Sequence, residues 1–499
     1  MKRSRLISHL LRLVVIVTAS TGVAARSDGG VERHPNVVLI VTDDQGYGDL
    51  SCHGNPVLKT PNMDSLGAES VVFPDGAVST IPDYWGNNYF DDTYLHNGTP
   101  QRYQGYCTDV WFDLALRFIE TNKDRPFFCY LPTNAAHAPY LVPERYAEPY
   151  RNDPRVPNAP FYGMIANLDE NLGKLRTRLR ELGLDKNTIL IFMGDNGTAG
   201  GGFNAGMRGR KGSPYDGGHR VACFIHYPAG GLTGGRVIDQ LSAHLDILPT
   251  LVDLCGLDCS SGKPAFDGIS LKPALWGKGG QGRDRVLIES FRGVVMTRRW
   301  RLVNARELYD VQKDPTQRHD VAGQFPDVVG QLTRELSEYR KTEDLRQHYI
   351  VIGADRQDPV ALTGEDWRVK PLIYQSWVSV LRKYDPKSVW NVEVARAGRY
   401  RLALRRWPRE TGVPINAVLP KEKWCHGMTR CVALRGVESG IRVEDVELHQ
   451  PVTDGMQEAE FTLDLAAGNT TIQGWFVDEN RQLWSASYLY VERLKDSER

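Results

Sequence analysis

Three short apolar runs, at residues 36–42, 126–131 and 188–193, are separated by helix-length amphipathic stretches, and this alternation constrains the chain more than any other feature. Apolar strands interleaved with amphipathic helices build an α/β sheet covered on both faces. Between the second and third runs, Ile165, Leu168, Leu172, Leu175, Leu179 and Leu182 step by three and four along one helical face, and Gly183 follows as a stop. An earlier helix is expected with Thr108 as its cap and Trp111, Leu114, Ala115, Phe118 and Ile119 on one face. Both stripes read as core contacts.

Past about residue 346 the texture changes to Trp- and Tyr-rich short runs at 389–394, 398–404, 460–465 and 483–491. Several alternate with period two between turn signals such as Asp385-Pro386 and Ala467-Gly468-Asn469, which predicts an antiparallel β domain. A length of 499 residues accommodates both domains. The division expected is a leader at 1–25, an α/β domain at 34–345 and a β-rich domain at 346–499. Lys2, Arg3 and Arg5 precede an apolar run at 10–19, and Val23-Ala24-Ala25 supplies small residues for cleavage, the order of a secretory signal. That run is shorter than the roughly 20 residues a spanning helix needs, and no later run is long enough, so an exported protein, periplasmic or extracellular, with no transmembrane helix is expected.

Lys plus Arg and Asp plus Glu both number 61, so no net field draws the chain to nucleic acid. The eight cysteines are too sparse for a disulfide scaffold. The close pairs Cys255/Cys259 and Cys425/Cys431 lack matching pairs at zinc-ribbon spacing.

Ligands of open α/β sheets gather beyond the carboxyl ends of the strands. The first run ends in Asp43-Asp44, the third in Asp195-Asn196-Gly197, and the middle one runs through Thr133-Asn134 to His137. One such pair alone reads as a cap or turn. Two pairs at two strand ends give three carboxylates and an amide, a cage of hard oxygens that suits Ca²⁺ or Mg²⁺ rather than zinc or copper. Asp91-Asp92 follows no strand and reads as surface loop. Residues 206–220 form a Gly-rich loop with Arg208, Arg210, Lys211, His219 and Arg220, in which glycines admit an anion closely and the cations oppose its charge. A hard divalent ion, a histidine and a lysine around an oxyanion describe hydrolysis of a sulfate or phosphate ester.

These residues resemble the sulfatase (arylsulfatase-like) family of the alkaline-phosphatase-like superfamily. The resemblance rests on residues 36–48 with Gly54-Asn55 and Thr60-Pro61-Asn62-Met63-Asp64, then 127–139, then Asp195-Asn196-Gly197. It continues through Lys211-Gly212-Ser213 with Asp216-Gly217-Gly218, and Glu307-Leu308-Tyr309-Asp310 with Asp314-Pro315, all in family order from about 36 to 340. It implies a mixed sheet sandwiched between helices, Ca²⁺ held by Asp43, Asp44, Asp195 and Asn196, and a catalytic pair, His137 and Lys211, that contacts the sulfate. His137 then helps the leaving oxygen depart. Asp216 stands where the family usually has Glu, and Ala222 where it often has Pro.

One departure bears on activity. Family members carry, shortly after the segment like 69–73, a Cys or Ser followed by Pro or Ala, Ser or Thr, and Arg; the Cys becomes formylglycine, whose hydrate is the nucleophile. Here 71–79 runs directly into Thr80-Ile81-Pro82-Asp83-Tyr84-Trp85-Gly86, where relatives insert several dozen residues with that motif and a Gly-Lys-Trp-His segment. Cys107-Thr108-Asp109 and Ser79 lack the pattern, so no nucleophile is assigned. The catalytic domain is expected to be truncated by an internal deletion near 79–82, in the gene or its assembled coding sequence, and inactive. The alternatives are a non-catalytic binder of sulfated glycans and a phosphoesterase of the same superfamily. A sulfated small molecule or polysaccharide is the expected partner, and Trp377, Trp390, Trp407, Trp475 and Trp484 are read as core residues first and as sugar-stacking surfaces second.

Overall fold

The computed structural model describes residues 34–69, 71–73, 89–97, 99–259, 266–277, 285–342, 349–355, 358–367, 388–423 and 431–494. The leader at 1–25, the junction at 79–82 with Ser79, the turn signal at Asp385-Pro386, Trp377 and Cys425 lie outside the described residues. The rest falls into two compact units, the first ending at Thr342.

The first unit runs β1 (Asn36–Thr42), α1 (Pro61–Glu69), β2 (Val71–Phe73), a hairpin of β3 (Thr93–His96) and β4 (Thr99–Arg102), α2 (Cys107–Asn122), β5 (Phe128–Pro132), α3 (Glu144–Ala147), α4 (Ala159–Glu181), β6 (Thr188–Gly194), α5 (Asp216–His219) and β7 (Cys223–His226). Its central sheet has the order β2-β7-β6-β1-β5. β1 lies parallel to both β5 and β6, while β7 is antiparallel to β6 and to β2, so the sheet is mixed. The period-two geometry of a strand sends alternate residues of β1 to opposite faces. Val38 and Ile40 join the core formed with α1, α2 and α4 through Met63, Phe112, Leu168 and Leu172. Val37 joins a second core with Ile189, Ile191 and Met193, closed by α6 (Ile247–Leu254) and α7 (Lys272–Leu275). Helices therefore cover both faces.

In α4, Ile165, Leu168, Leu172, Leu175 and Leu179 are all buried. Asn158 caps it by accepting the Phe161 N–H at 3.2 Å, and Gly183 follows the last turn at φ +68°. Thr108, by contrast, does not cap α2: the helix begins one residue earlier, behind Tyr106, whose side chain makes no capping bond. The first turn is fixed by a tertiary contact instead, the Cys107 N–H donating to the Tyr89 carbonyl. A small antiparallel sheet of β8 (Leu287–Glu289), β9 (Val294–Met296), β10 (Trp300–Val303) and β11 (Glu307–Asp310) packs on α8 (Pro326–Thr342) through Leu332 and Leu336.

The second unit contains β12 (Ile350–Ile352), β13 (Val360–Thr363), β14 (Trp390–Val394), β15 (Gly398–Arg405), β16 (Gly436–Val443), β17 (Val446–Pro451), β18 (Ala459–Leu465), β19 (Gly468–Asp478), β20 (Leu483–Ser485) and β21 (Tyr488–Arg493). One sheet has the order β12-β14-β19-β16-β17, with β20 on β19; the other is β13-β21-β15-β18. Pairing is antiparallel except between β12 and β14, which run parallel, a departure from the all-antiparallel expectation. The run at 483–491 is two strands rather than one, because the chain changes sheets at Ala486, whose N–H is taken by the Gly474 carbonyl. Trp390, Trp407 and Trp475 are buried, and half-buried Trp484 donates its indole N–H to Asp478. Burial withdraws the first three rings from sugar stacking.

Candidate cation and oxyanion site

The ends of β1, β5 and β6 are sewn together by backbone bonds, which brings their following loops to one place. The Asp43 N–H donates to the Ala135 carbonyl at 2.9 Å, Thr133 N–H to Val41, and Asp195 N–H to Thr42. Asp44 adopts φ +64°, a left-handed turn that Asp tolerates better than most side chains. Its N–H then donates to Asp195 Oδ1 at 2.8 Å, an oxygen that also accepts the Asn196 N–H. Asp43, Asp44 and Asp195 are each 2–3% exposed. Oxygens of Asp43 and Asp44 and a ring nitrogen of His137 lie within 4.8 Å of one another.

Lys211 reaches the same point from the Gly-rich loop. Its Nζ lies 2.6 Å from Asp44 Oδ1, which also accepts Asn196 Nδ2 at 2.9 Å. His137 donates from Nδ1 to the Ala138 carbonyl at 2.6 Å, which leaves Nε2 facing Asp44 Oδ2 at 3.8 Å. The fold thus gathers all six candidates, Asp43, Asp44, His137, Asp195, Asn196 and Lys211. Asp91-Asp92, set aside as surface loop, sits in a turn where Asp91 is exposed and caps the Gly105 N–H.

Burial, with the charges of Asp43 and Asp44 beside it, pushes the Asp195 carboxyl far above the usual carboxylate range. Its Oδ2 is buried with no hydrogen-bond partner among the described residues. Burial pulls the Lys211 ammonium down, but Asp44, with Asp43 and Asp195 behind it, outweighs that and raises it. A crowded set of carboxylates with a buried, unbonded oxygen is the donor chemistry of a hard divalent ion. The residues fit Ca²⁺ or Mg²⁺, with the Asn196 amide able to offer its oxygen by turning about its last torsion.

They do not fit a nucleophile. Cys107 is 1% exposed, its thiol is pushed up to about 12 by burial, and its Sγ lies 3.5 Å from Asn134 Oδ1. A protonated, buried thiol is inert.

The loops have supports that the sequence did not advertise. The Tyr89 hydroxyl donates to the His137 carbonyl at 2.6 Å and to that of Asn134 at 3.0 Å, and the Trp111 indole donates to Asn134 Oδ1. Asp49, fully buried, accepts the N–H groups of Gly46 and Phe203, and burial pushes its carboxyl up to about 7. Asp216 anchors the Gly-rich loop by accepting Arg301 Nε at 2.9 Å, with His219 at 3.4 Å. The faint signal for Asp49 was its place six residues beyond Asp43; Tyr89 and Arg301 carried none.

Comparison with known proteins bears on the family and the fold. The family model described as Sulfatase matches residues 35–82 and 77–257, in two pieces that meet at 77–82. Arylsulfatase A of Homo sapiens is 24% identical over 458 residues, spanning 60% of this chain and 87% of its own. Ps i-CgsB, solved in complex with k-i-k-neocarrahexaose, is similar with a TM-score of 0.57 at 21% identity, over 63% of this chain and 94% of that one. A protein solved with its substrate D-glucosamine-2-N,6-O-disulfate gives a TM-score of 0.52 at 17% identity, over 63% and 100%. Family segments in order and the sandwich of the first unit lead to one conclusion: residues 35–257 match the sulfatase family, and the chain shares the alkaline-phosphatase-like fold of the sulfatases it resembles.

Proposed function

We propose that this chain keeps the cation-binding and oxyanion-binding half of a sulfatase site, and that it binds sulfate esters in a Ca²⁺-dependent way without hydrolysing them at an enzymatic rate. The observation that carries this is the convergence of three buried carboxylates, His137 and Lys211 with no competent nucleophile among the described residues. Asp43, Asp44, Asp195 and Asn196 would hold the ion. Bound there, it would draw electron density from an ester oxygen and balance the anion's charge. Lys211 supplies a compact positive charge for the oxyanion. His137 presents Nε2 at the same opening, its ring held by the Ala138 carbonyl.

The missing block is supported by the two-piece family match meeting at 77–82. It is also supported by the alignment to the human enzyme, whose 458 positions draw on only 60% of a 499-residue chain, so many of those positions have no counterpart here. Among the described residues no helix is long and apolar enough to cross a membrane. With the basic and apolar start of the chain, that supports export as a proposal. A sulfated glycan is the favoured ligand class, because a structural neighbour was solved with a disulfated glucosamine as its substrate.

The test is retention on a sulfated polysaccharide column. The chain should be held with Ca²⁺, elute with a chelator, and flow through as Asp43→Ala; passage of the unaltered chain in the presence of Ca²⁺ refutes the proposal.

A further inference from the structure

Asp44 Oδ1 has both of its lone pairs engaged, so a divalent ion that takes this oxygen has to displace one of its partners. Oδ1 already accepts Lys211 Nζ at 2.6 Å and Asn196 Nδ2 at 2.9 Å, and Oδ2 faces His137. Asp44 is 2% exposed and its backbone is held at the N–H by Asp195 and at the carbonyl by Ala199, so its carboxylate has little room to move away. Lys211 can move. It lies between Gly209 and Gly212, both in left-handed backbone at φ +82° and +85°, on a loop whose side is open enough to leave its own side chain 37% exposed. An ammonium on a four-carbon stem is the mobile partner of that pair.

We propose that Lys211 is the acid cluster's own counter-cation, and that a divalent ion displaces it from Asp44 toward the oxyanion. This rests on the cation reading above. The exchange makes one event of two: the ion takes the Asp44 oxygen, and the released ammonium becomes available to a sulfate. Cation and anion then bind cooperatively, and by linkage each raises the other's affinity by the same factor. A chain stripped of divalent ions would hold sulfate weakly because its lysine is already engaged.

The experiment uses the whole chain. A brief pulse of an amine-acetylating reagent is read by mass spectrometry at Lys211, with Lys174, ion-paired to Glu170 at 2.8 Å on α4, as internal reference. Ca²⁺ binding is measured alongside by calorimetry. Ca²⁺ should raise labelling of Lys211 severalfold relative to Lys174, and inorganic sulfate added with Ca²⁺ should lower it again. Calorimetric Ca²⁺ binding with Lys211 labelling unchanged or slowed overturns the exchange and leaves the cation site standing. No Ca²⁺ binding overturns both. The variant Lys211→Met, free of the competitor, should bind Ca²⁺ on the order of tenfold more tightly; unchanged or weaker binding counts against the exchange.

Discussion

Asp44 and Asp43 stand at the strand end that supplies the proposed ligand set, and removing either carboxylate removes charge from that cluster. Asp43→Ala should weaken Ca²⁺ binding by at least about tenfold, a loss of about 1.4 kcal/mol or more, measurable by calorimetry. Asp216 supports the same site from a distance. Burial opposes its charge, but Arg301, His219 and Arg220 outweigh that and hold its carboxyl well below the usual range. Its folded value lies below its unfolded one, so the stability it contributes is present above about pH 4 and is lost as pH falls further, toward the folded value. Urea unfolding from pH 7 to pH 3 should therefore show the unaltered chain more stable than Asp216→Asn at pH 7, with the difference shrinking below about pH 4. Arg301→Met leaves buried Asp216 without its closest cationic partner, with only His219 at 3.4 Å beside it, and should cost about 3 kcal/mol.

Among elements, the strands that end in functional groups were legible because two physical signals coincide: uniform apolarity from burial on both faces, then a sudden carboxylate. Residues 36–42 and 188–193 become β1 and β6 almost residue for residue. The long stripe of α4 was legible for the same reason, and Leu172, wholly buried in it, gives a measure of what the stripe contributes: Leu172→Ala should destabilise the first unit by about 2–5 kcal/mol in chemical denaturation. What stayed hidden depended on partners far along the chain. The start of α2 is set by Tyr89 rather than by Thr108, and strand β21 parts from β20 because the chain changes sheets. Short strands such as β12 and β13 carry too few residues for a period to register. The turn after β6 packs closely on the Gly-rich loop: a Cβ at Gly197 would run into the Gly217 carbonyl. Gly197→Ala should loosen the loop that carries Lys211 and reduce sulfate binding more than it lowers the unfolding midpoint.

Taken as a whole, the molecule has the two halves of its site in different conditions. The strand ends that gather the proposed cation ligands are sewn by backbone bonds that involve only described residues, whereas the nucleophile motif that the resemblance leads one to expect is not written in the sequence between Phe73 and Tyr89. Sequencing of the source DNA across the codons for residues 73–85 should reveal whether the in-frame block belongs there; its insertion should convert a binding protein into an ester hydrolase. Asp43, Asp44, Asp195 and Asn196 were readable as candidates because they directly follow β1 and β6, His137 and Lys211 stand further along their loops, and the ligand's identity was not readable, since selectivity lies in loop shape. The most direct measurement is sulfate release from an aryl sulfate by the purified chain in saturating Ca²⁺, with binding of the same ester followed by calorimetry. Ca²⁺-dependent binding without release above the uncatalysed rate is the predicted result, and turnover at an ordinary enzymatic rate would contradict it.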